Sequence, residues 1–395
     1  MDFRFTEEER TLQKQIAAFA AKELPPGWEG GIQFEEYTGD LWPVTREIAK
    51  KLGRQGWLGM GWGQEYGGTP RSLMCRLIFY EEAVYHRIPA YDMGIGGVSC
   101  VAPPLAAFGT EEQKNRHLRD LAAGLKFWCV GYSEPDIGSD LPSLHCQALP
   151  ADGGYVIRGS KIWTSAAQAA DWCFLLARTG EPGSKHRGLT IFLVDMRSKG
   201  LTRRPIKDIC GVPSLNQLFF DDVYVESANV LGQIDKAWDN MPLLLFMERT
   251  FQSGAASGRC RRLLDDTVQY CRNTPRVPSV SRGVNRNRLA DLCIEVEVGR
   301  LLTYRAVWLE QQGPVPEAAT SAARAYTSRM EQRTAQAVMQ VLGPFGQLKT
   351  GSPSARLRGQ AEHFYLSCIS DSILGGTGEI QRNIIASKGL ALPRG

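Results

Sequence analysis

Apolar positions recur along this chain in two rhythms, and the change of rhythm divides it into three. Up to residue 125 the spacing is helical. Acid-rich stretches such as TEEER (6–10) and GTEEQK (109–114) mark first turns, where carboxylates face the positive end of the helix dipole. Gly and Pro clusters (Pro25-Pro26-Gly27, Gly67-Gly68, Pro103-Pro104) separate the segments. Between 126 and 235 the rhythm shortens to β-rich runs bounded by turn residues: GGYVIRG (153–159), WCFLLA (172–177), LTIFLVD (189–195) and NQLFFDDVYV (216–225). Such closely spaced runs predict an antiparallel sheet or a small barrel. From 236 onward helical spacing returns, over 237–272, 287–312 and 316–342. Residues 273–287 carry two Pro and a Gly and read as an irregular connection. The expected fold class is therefore α+β: an N-terminal α-helical domain (1–125), a middle antiparallel β-domain (126–235) and a C-terminal helical domain (236–395).

Composition narrows the function classes. With 43% hydrophobic and 22% charged residues, the 395-residue chain has the make-up of an ordinary globular protein. A net charge of +4, with basic and acidic residues interspersed, argues against a nucleic-acid partner. The longest apolar run, MPLLLFM (241–247), is too short to span a bilayer. The amino terminus, MDFRFTEEER, resembles neither a secretory signal nor a transit peptide, so a cytoplasmic protein is expected. None of the ten cysteines stands in a C-x-x-C pair, and scattered cysteines of this kind behave as small buried hydrophobes in a reducing compartment. The five histidines show no metal-ligand spacing, and no metal is expected. No G-x-G-x-x-G, Walker loop or G-x-S-x-G is found.

Two stretches stand out. SEPDIGSD (133–140) has the Pro, Asp, Gly and Ser of a turn that exposes backbone N–H groups and hydroxyls. GSKIWTSAAQAADW (159–172) sets Trp163, Thr164 and Ser165 at a strand end. Donors beside an indole suit a planar, electron-poor ring that is stacked and hydrogen-bonded at its edge. Taken alone, the same residues suit a pair of turns in a β-domain with a core Trp better.

With LFFDDVYVESANVLGQ (218–233), Trp238, MERT (247–250) and GGTGEIQRNIIA (375–386), these stretches resemble the acyl-CoA dehydrogenase family through nearly the whole chain. The resemblance implies a helical domain, a β-domain and a four-helix bundle in that order, with FAD as cofactor. It places Val130, Tyr132 and Ser133 along the flavin ring, with Gly138 and Ser139 close to both flavin and substrate. It gives Trp163 the shielding of the isoalloxazine, with Thr164 beside it and Ser165 donating near flavin N5. Thr377 and Glu379 match positions along the FAD pyrophosphate and ribityl chain. Gln340 and Gly343 match a stretch that meets the adenosine end of a neighbouring subunit's FAD.

In this family a carboxylate removes the pro-R α-proton of an acyl thioester while the β-hydrogen leaves as hydride to flavin N5. Many relatives carry that carboxylate as a Glu just before the Gly-Thr of the carboxy-terminal motif, where this chain has Gly375. The isovaleryl-CoA dehydrogenase-like branch carries it on the first bundle helix, and the matching residue here is Glu248. Its flanks, LLLFM and Arg249, suggest a buried, paired carboxylate. Arg249 and the backbone N–H of Gly375 are expected to meet the substrate, and the missing side chain at 375 to leave room for branched or bulky acyl groups. The family's R-x-x-F-G is absent from CRNTPRVPSVSRGVNRNR (271–288), where Arg272, Arg276 and Arg282 are the candidate replacements. The implied partners are an acyl-CoA or acyl-carrier-protein thioester, an electron-transfer flavoprotein and further subunits, as a homotetramer or with a second, degenerate chain. A flavin oxidase or monooxygenase, or a partner subunit completing another chain's FAD site, are the competing readings.

Overall fold

The computed structural model describes residues 4–28, 30, 35–274 and 282–393. Two compact units interleave along the sequence. Gln33–Ser72 joins Pro89–Glu248 in a sheet unit, and Met1–Ile32 joins Leu73–Ile88 and Arg249–Gly395 in a helical unit.

The sheet unit holds α2 (Leu41–Arg54), α4 (Ala102–Phe108) and α5 (Glu111–Ala122), eight strands, and the first turns of α6 (Ala237–Asn273). The strands are β1 (Trp128–Gly131), β2 (Gln147–Ala151), β3 (Gly154–Lys161), β4 (Trp172–Arg178), β5 (Leu189–Asp195), β6 (Leu201–Ile206), β7 (Leu215–Glu226) and β8 (Val230–Leu231). Their order is β6-β7-β3-β2-β4-β5-β8, with β1 added beside β4. The pairing is antiparallel as expected, except that β1 and the start of β2 run parallel to β4. All seven residues of β4 are buried, which is why WCFLLA reads as an unbroken apolar run; β7 alternates instead, having a wet face. Thr110 caps α5 reciprocally with Gln113, whose amide Nε2 also donates to the carbonyls of Ala228 and Val230 at 2.8 and 2.7 Å.

A buried ion pair organises the front of this unit. Lys161, 0% exposed at the end of β3, donates from Nζ to Glu134 Oε1 and to the Tyr132 carbonyl, both at 2.9 Å. Glu134 in turn accepts from the backbone N–H groups of His145 and Cys146 at 2.6 and 2.8 Å. One carboxylate thus binds both ends of the loop between β1 and β2.

The helical unit holds α1 (Glu7–Glu23), α3 (Leu73–Tyr85), the rest of α6, α7 (Arg282–Glu310), α8 (Glu317–Leu342), α9 (Gln360–Ser367) and α10 (Gly378–Ile384). The predicted start at TEEER is a capping box: Thr6 Oγ1 accepts from Glu9 N, and the Glu9 carboxylate from Thr6 N. Helix α7 begins five positions before the predicted 287, because RGVNRN is polar and carries no apolar period. Most of the connection 273–287 lies outside the described residues or inside α7. Glycines bring α3 and α6 close, since a Cβ on Gly254 would lie 2.5 Å from Leu77 Cδ1, and one on Gly258 2.4 Å from the Glu81 carbonyl. At that crossing Glu81, 1% exposed, accepts from Arg261 and Arg300 at 2.5 Å each and from the Tyr304 hydroxyl.

Removing one partner of a buried ion pair leaves the other uncompensated, so Lys161→Met should destabilise the protein by about 3–5 kcal/mol. Adding Glu134→Gln, whose neutral amide needs no cation, should return part of that loss. Chemical denaturation of the single and double variants measures both.

Candidate active site

In the sheet unit the two motifs meet at their backbones. Ile162 N donates to the Ser133 carbonyl at 2.9 Å, which sets Trp163 beside the SEPDIGSD loop. The next residues are pinned to the start of β7: Thr164 N donates to Asn216 O, and Ala166 N to Ser214 O, each at 2.9 Å. Trp163 and Ala166 are non-glycine residues in the left-handed region, at φ +60° and +56°. Such strain persists only where its surroundings over-determine it, and it clusters at functional sites. The strain turns the Trp163 indole outward, 56% exposed, far more than a core Trp would be. Thr164 is buried beneath it, and its Oγ1 finds no hydrogen-bond partner among the described residues. Gly138 has open space where a side chain would be, and Ser139 is exposed.

Behind this front, Tyr132 has a buried hydroxyl, also without a partner among the described residues. Burial pushes its phenol well above the usual value, and the Glu248 carboxylate adds to the shift. The carboxylate of Glu248 is thus near enough for its charge to be felt at Tyr132. Glu248 itself is half-buried, rather than enclosed as its flanks suggest.

In the helical unit, buried Arg249 donates from Nε to the Gly375 carbonyl at 3.1 Å. Gln381 Nε2 donates to the carbonyls of Gly375 and Gly376, 3.0 Å each. Thr377 caps α10 through Ile380 N, and Glu379, largely exposed, pairs with Arg382 at 3.5 Å. The chain entering this turn is held from below: Arg324, 1% exposed, donates to the carbonyls of Asp371 and Leu374. Arg259 bridges Glu331 at 2.7 Å and Asp371 at 3.6 Å. Gln340 is exposed and accepts from Arg288 at the end of α8, where Gly343 (φ +59°) stops the helix.

The residues named from the sequence therefore gather in two groups. Val130, Tyr132, Ser133, Gly138, Ser139, Trp163, Thr164, Ser165 and Glu248 belong to the sheet unit. Arg249, Gln340, Gly343, Gly375, Thr377 and Glu379 belong to the helical unit. Of the candidate arginines, Arg272 is exposed, Arg276 lies outside the described residues, and nothing is described of the Arg282 side chain. The room expected at Gly375 is shared with the Gln252 carboxamide, whose Oε1 lies in the direction a side chain would take, so the space there depends on how that flexible side chain is placed. Sequence reading also missed Lys161, Glu134 and Gln252. The signal for Gln252 was its place one helical turn beyond Glu248.

The observations fit a flavin. An outward indole on strained backbone, a buried hydroxyl without a partner beneath it, and open space over Gly138 are what a stacked, edge-bonded ring requires. Such a front suits a planar ring, and comparison supplies the family. The chain belongs to the acyl-CoA dehydrogenase family: the N-terminal, middle and C-terminal domain models of that family match residues 6–125, 129–223 and 238–390. It is accordingly an FAD-dependent oxidoreductase. It is 32% identical to acyl-CoA dehydrogenase FadE26 of Mycobacterium tuberculosis, over 100% of this chain and 99% of that one. Among solved structures it resembles the "Tcur3481-Tcur3483 steroid ACAD" (TM-score 0.89, 30% identity, all of both chains). It also resembles a chain of the ChsE4-ChsE5 complex from Mycobacterium tuberculosis (TM-score 0.88, 31% identity, all of both chains).

The network below the Gly375 turn has a pH signature. Burial lifts Glu331 from the usual 4.5 to about 7, with Asp371 adding to the shift and Arg259 and Arg324 opposing it. A carboxyl raised on folding binds its proton more tightly in the folded state. Its contribution is therefore full below about pH 4.5 and is lost as pH rises through 7. Stability should fall across that window, and Glu331→Gln should flatten the fall, as read by urea midpoints at a series of pH values.

Proposed function

We propose that this chain desaturates an acyl-CoA at the α,β position, with Glu248 as the base. The observation that carries this reading is Glu248 itself. It is a half-buried carboxylate next to the apolar MPLLLFM run, its charge felt by the buried Tyr132 phenol, in the unit that also presents Trp163 and Thr164. Bound FAD would supply the two-electron acceptor for the β-hydrogen. Glu248 takes the α-proton, and its partial burial favours the neutral form it then adopts. With FAD bound, Trp163 would shield the flavin face, Thr164 and Ser165 would donate to its edge, and Val130, Tyr132 and Ser133 would line the ring. Gly138 and Ser139 leave space on the substrate side. Arg249 holds the Gly375 carbonyl, and the Gly375 amide is the donor assigned to the thioester carbonyl, where enolate-like charge develops. Thr377, Glu379, Gln340 and Gly343 are assigned to the pyrophosphate and adenosine end of FAD.

The steroid ACAD among the solved relatives supports a bulky acyl group on CoA. Electrons pass on to an electron-transfer flavoprotein. The chain works as an oligomer in the cytoplasm, where its ten free cysteines stay reduced. Ile294, Val298 and Leu301 form an exposed apolar stripe along α7, the kind of face that a second chain covers. The two-chain ChsE4-ChsE5 relative and the absent R-x-x-F-G support a second family chain as that partner. Among the described residues no helix is long and apolar enough to cross a membrane.

Purified with its assembly partner, the protein should carry FAD that a panel of acyl-CoAs bleaches anaerobically. Glu248→Gln keeps size and hydrogen bonding but removes the base, so turnover should drop ~10²–10⁴-fold while FAD content and thioester binding persist. Near-normal turnover in Glu248→Gln would refute the base assignment. Rapid reoxidation of the bleached protein by air would instead identify an oxidase. Light scattering should give a particle larger than the 43.7 kDa chain.

A further inference from the structure

Gly375 stands where many relatives place the catalytic carboxylate, and its surroundings show why a side chain is absent. A Cβ built there would lie 2.4 Å from Gln252 Oε1, and 3.3 and 3.4 Å from the Cδ and Nε2 of the same amide. Real Cβ atoms do not approach a heavy atom that closely, so any side chain at 375 requires the Gln252 carboxamide to move. Gln252 Oε1 is itself buried, so moving it disturbs a packed position. The backbone adds a second barrier, since Gly375 has φ +69°, in the region that favours glycine.

The neighbouring residue repeats the pattern. A Cβ on Gly376 (φ +93°) would meet Gln381 Nε2 at 2.8 Å and Arg249 Nη2 at 3.4 Å. Two amides and a guanidinium therefore pack directly against bare backbone, and the carbonyls of the two glycines are held by Arg249 and Gln381. Gln252 and Glu248 are four residues apart on α6, one turn along the same helical face.

We infer that Gln252 is a positioning and specificity-determining residue. Its carboxamide fills the slot of the absent carboxylate, fixes the Gly375 backbone and thereby assigns proton abstraction to Glu248. This rests on the reading of Glu248 as the base. It follows that Gly375→Glu alone relocates the base poorly, because the Gln252 amide must first move aside. It also follows that shrinking Gln252, rather than the glycine itself, is what opens room beside the acyl α-carbon.

Two measurements test the inference, and the first is independent of the base assignment. The first is a stability cycle of Gly375→Ala and Gln252→Ala, read as denaturation midpoints and needing neither substrate nor turnover. Gly375→Ala should lower the midpoint in the natural background and lower it clearly less when Gln252 is already Ala. Additive effects would mean that the two positions do not share the slot, and the inference would fall. The second compares Glu248→Gly, Gly375→Glu with the triple variant that adds Gln252→Ala. The triple variant should turn over at least about tenfold faster than the double, with a pH profile of its own, because the new carboxylate sits in a different environment. Equal rates in the two would overturn the claim that Gln252 selects the side of the base. A Glu248→Gln enzyme of normal activity would remove the base reading while leaving the stability cycle to decide the slot.

Discussion

The front of the sheet unit depends on one buried charge pair. Lys161 is fully buried against one carboxylate, and that carboxylate has already engaged two backbone amides on the far side of its loop. Because neither charge has anywhere else to go, the end of β3 and the SEPDIGSD loop are locked in register. The Ile162–Ser133 hydrogen bond, the strained turn at Trp163 and the exposed indole all follow from that register. A buried ion pair adds little net stability against an apolar replacement. What it supplies here is a single permitted geometry.

The helical unit solves a related problem with different means. The turn at Gly375–Gly376 has no side chains of its own, so its shape is imposed by neighbours. Arg324 grips the carbonyls before it, Arg249 and Gln381 grip those within it, and Gln252 packs against its open face. A backbone donor held in this way does not need to reorganise when charge appears opposite it, which is the condition for electrostatic stabilisation.

Much of the fold was legible in the sequence, for reasons that particular elements make plain. LTIFLVD became β5 with the same ends, and the long helices fell within a few residues of their expected bounds, because both bury continuous or periodic apolar faces. Four strands escaped: β2 (QALPA) and β6 (LTRRPI) are mostly exposed and contain Pro, so no alternation betrays them, and β1 (WCVG) and β8 (VL) are too short to show a period. At the site, motif spacing picked out Trp163, Glu248 and Gly375. It did not reach Gln252 or the Lys161–Glu134 pair, whose meaning lies in contacts between residues far apart along the chain. Nor was it legible that α1 and α3 group with the C-terminal helices rather than with the helices between them.

That grouping matters for how the protein is made. Glu81 on α3 waits for Arg300 and Tyr304, which follow it by 219 and 223 residues. At ribosomal rates of about 5–20 residues per second, roughly 10–45 s separate the emergence of α3 from that of its partners. For that interval α3 is a nascent helix with an acidic residue and an apolar face awaiting burial, while the whole of Pro89–Glu248 emerges and is free to fold. Synthesis therefore finishes the sheet unit first, and early release of the chain would leave α1 and α3 as the segments that chaperones and proteases find.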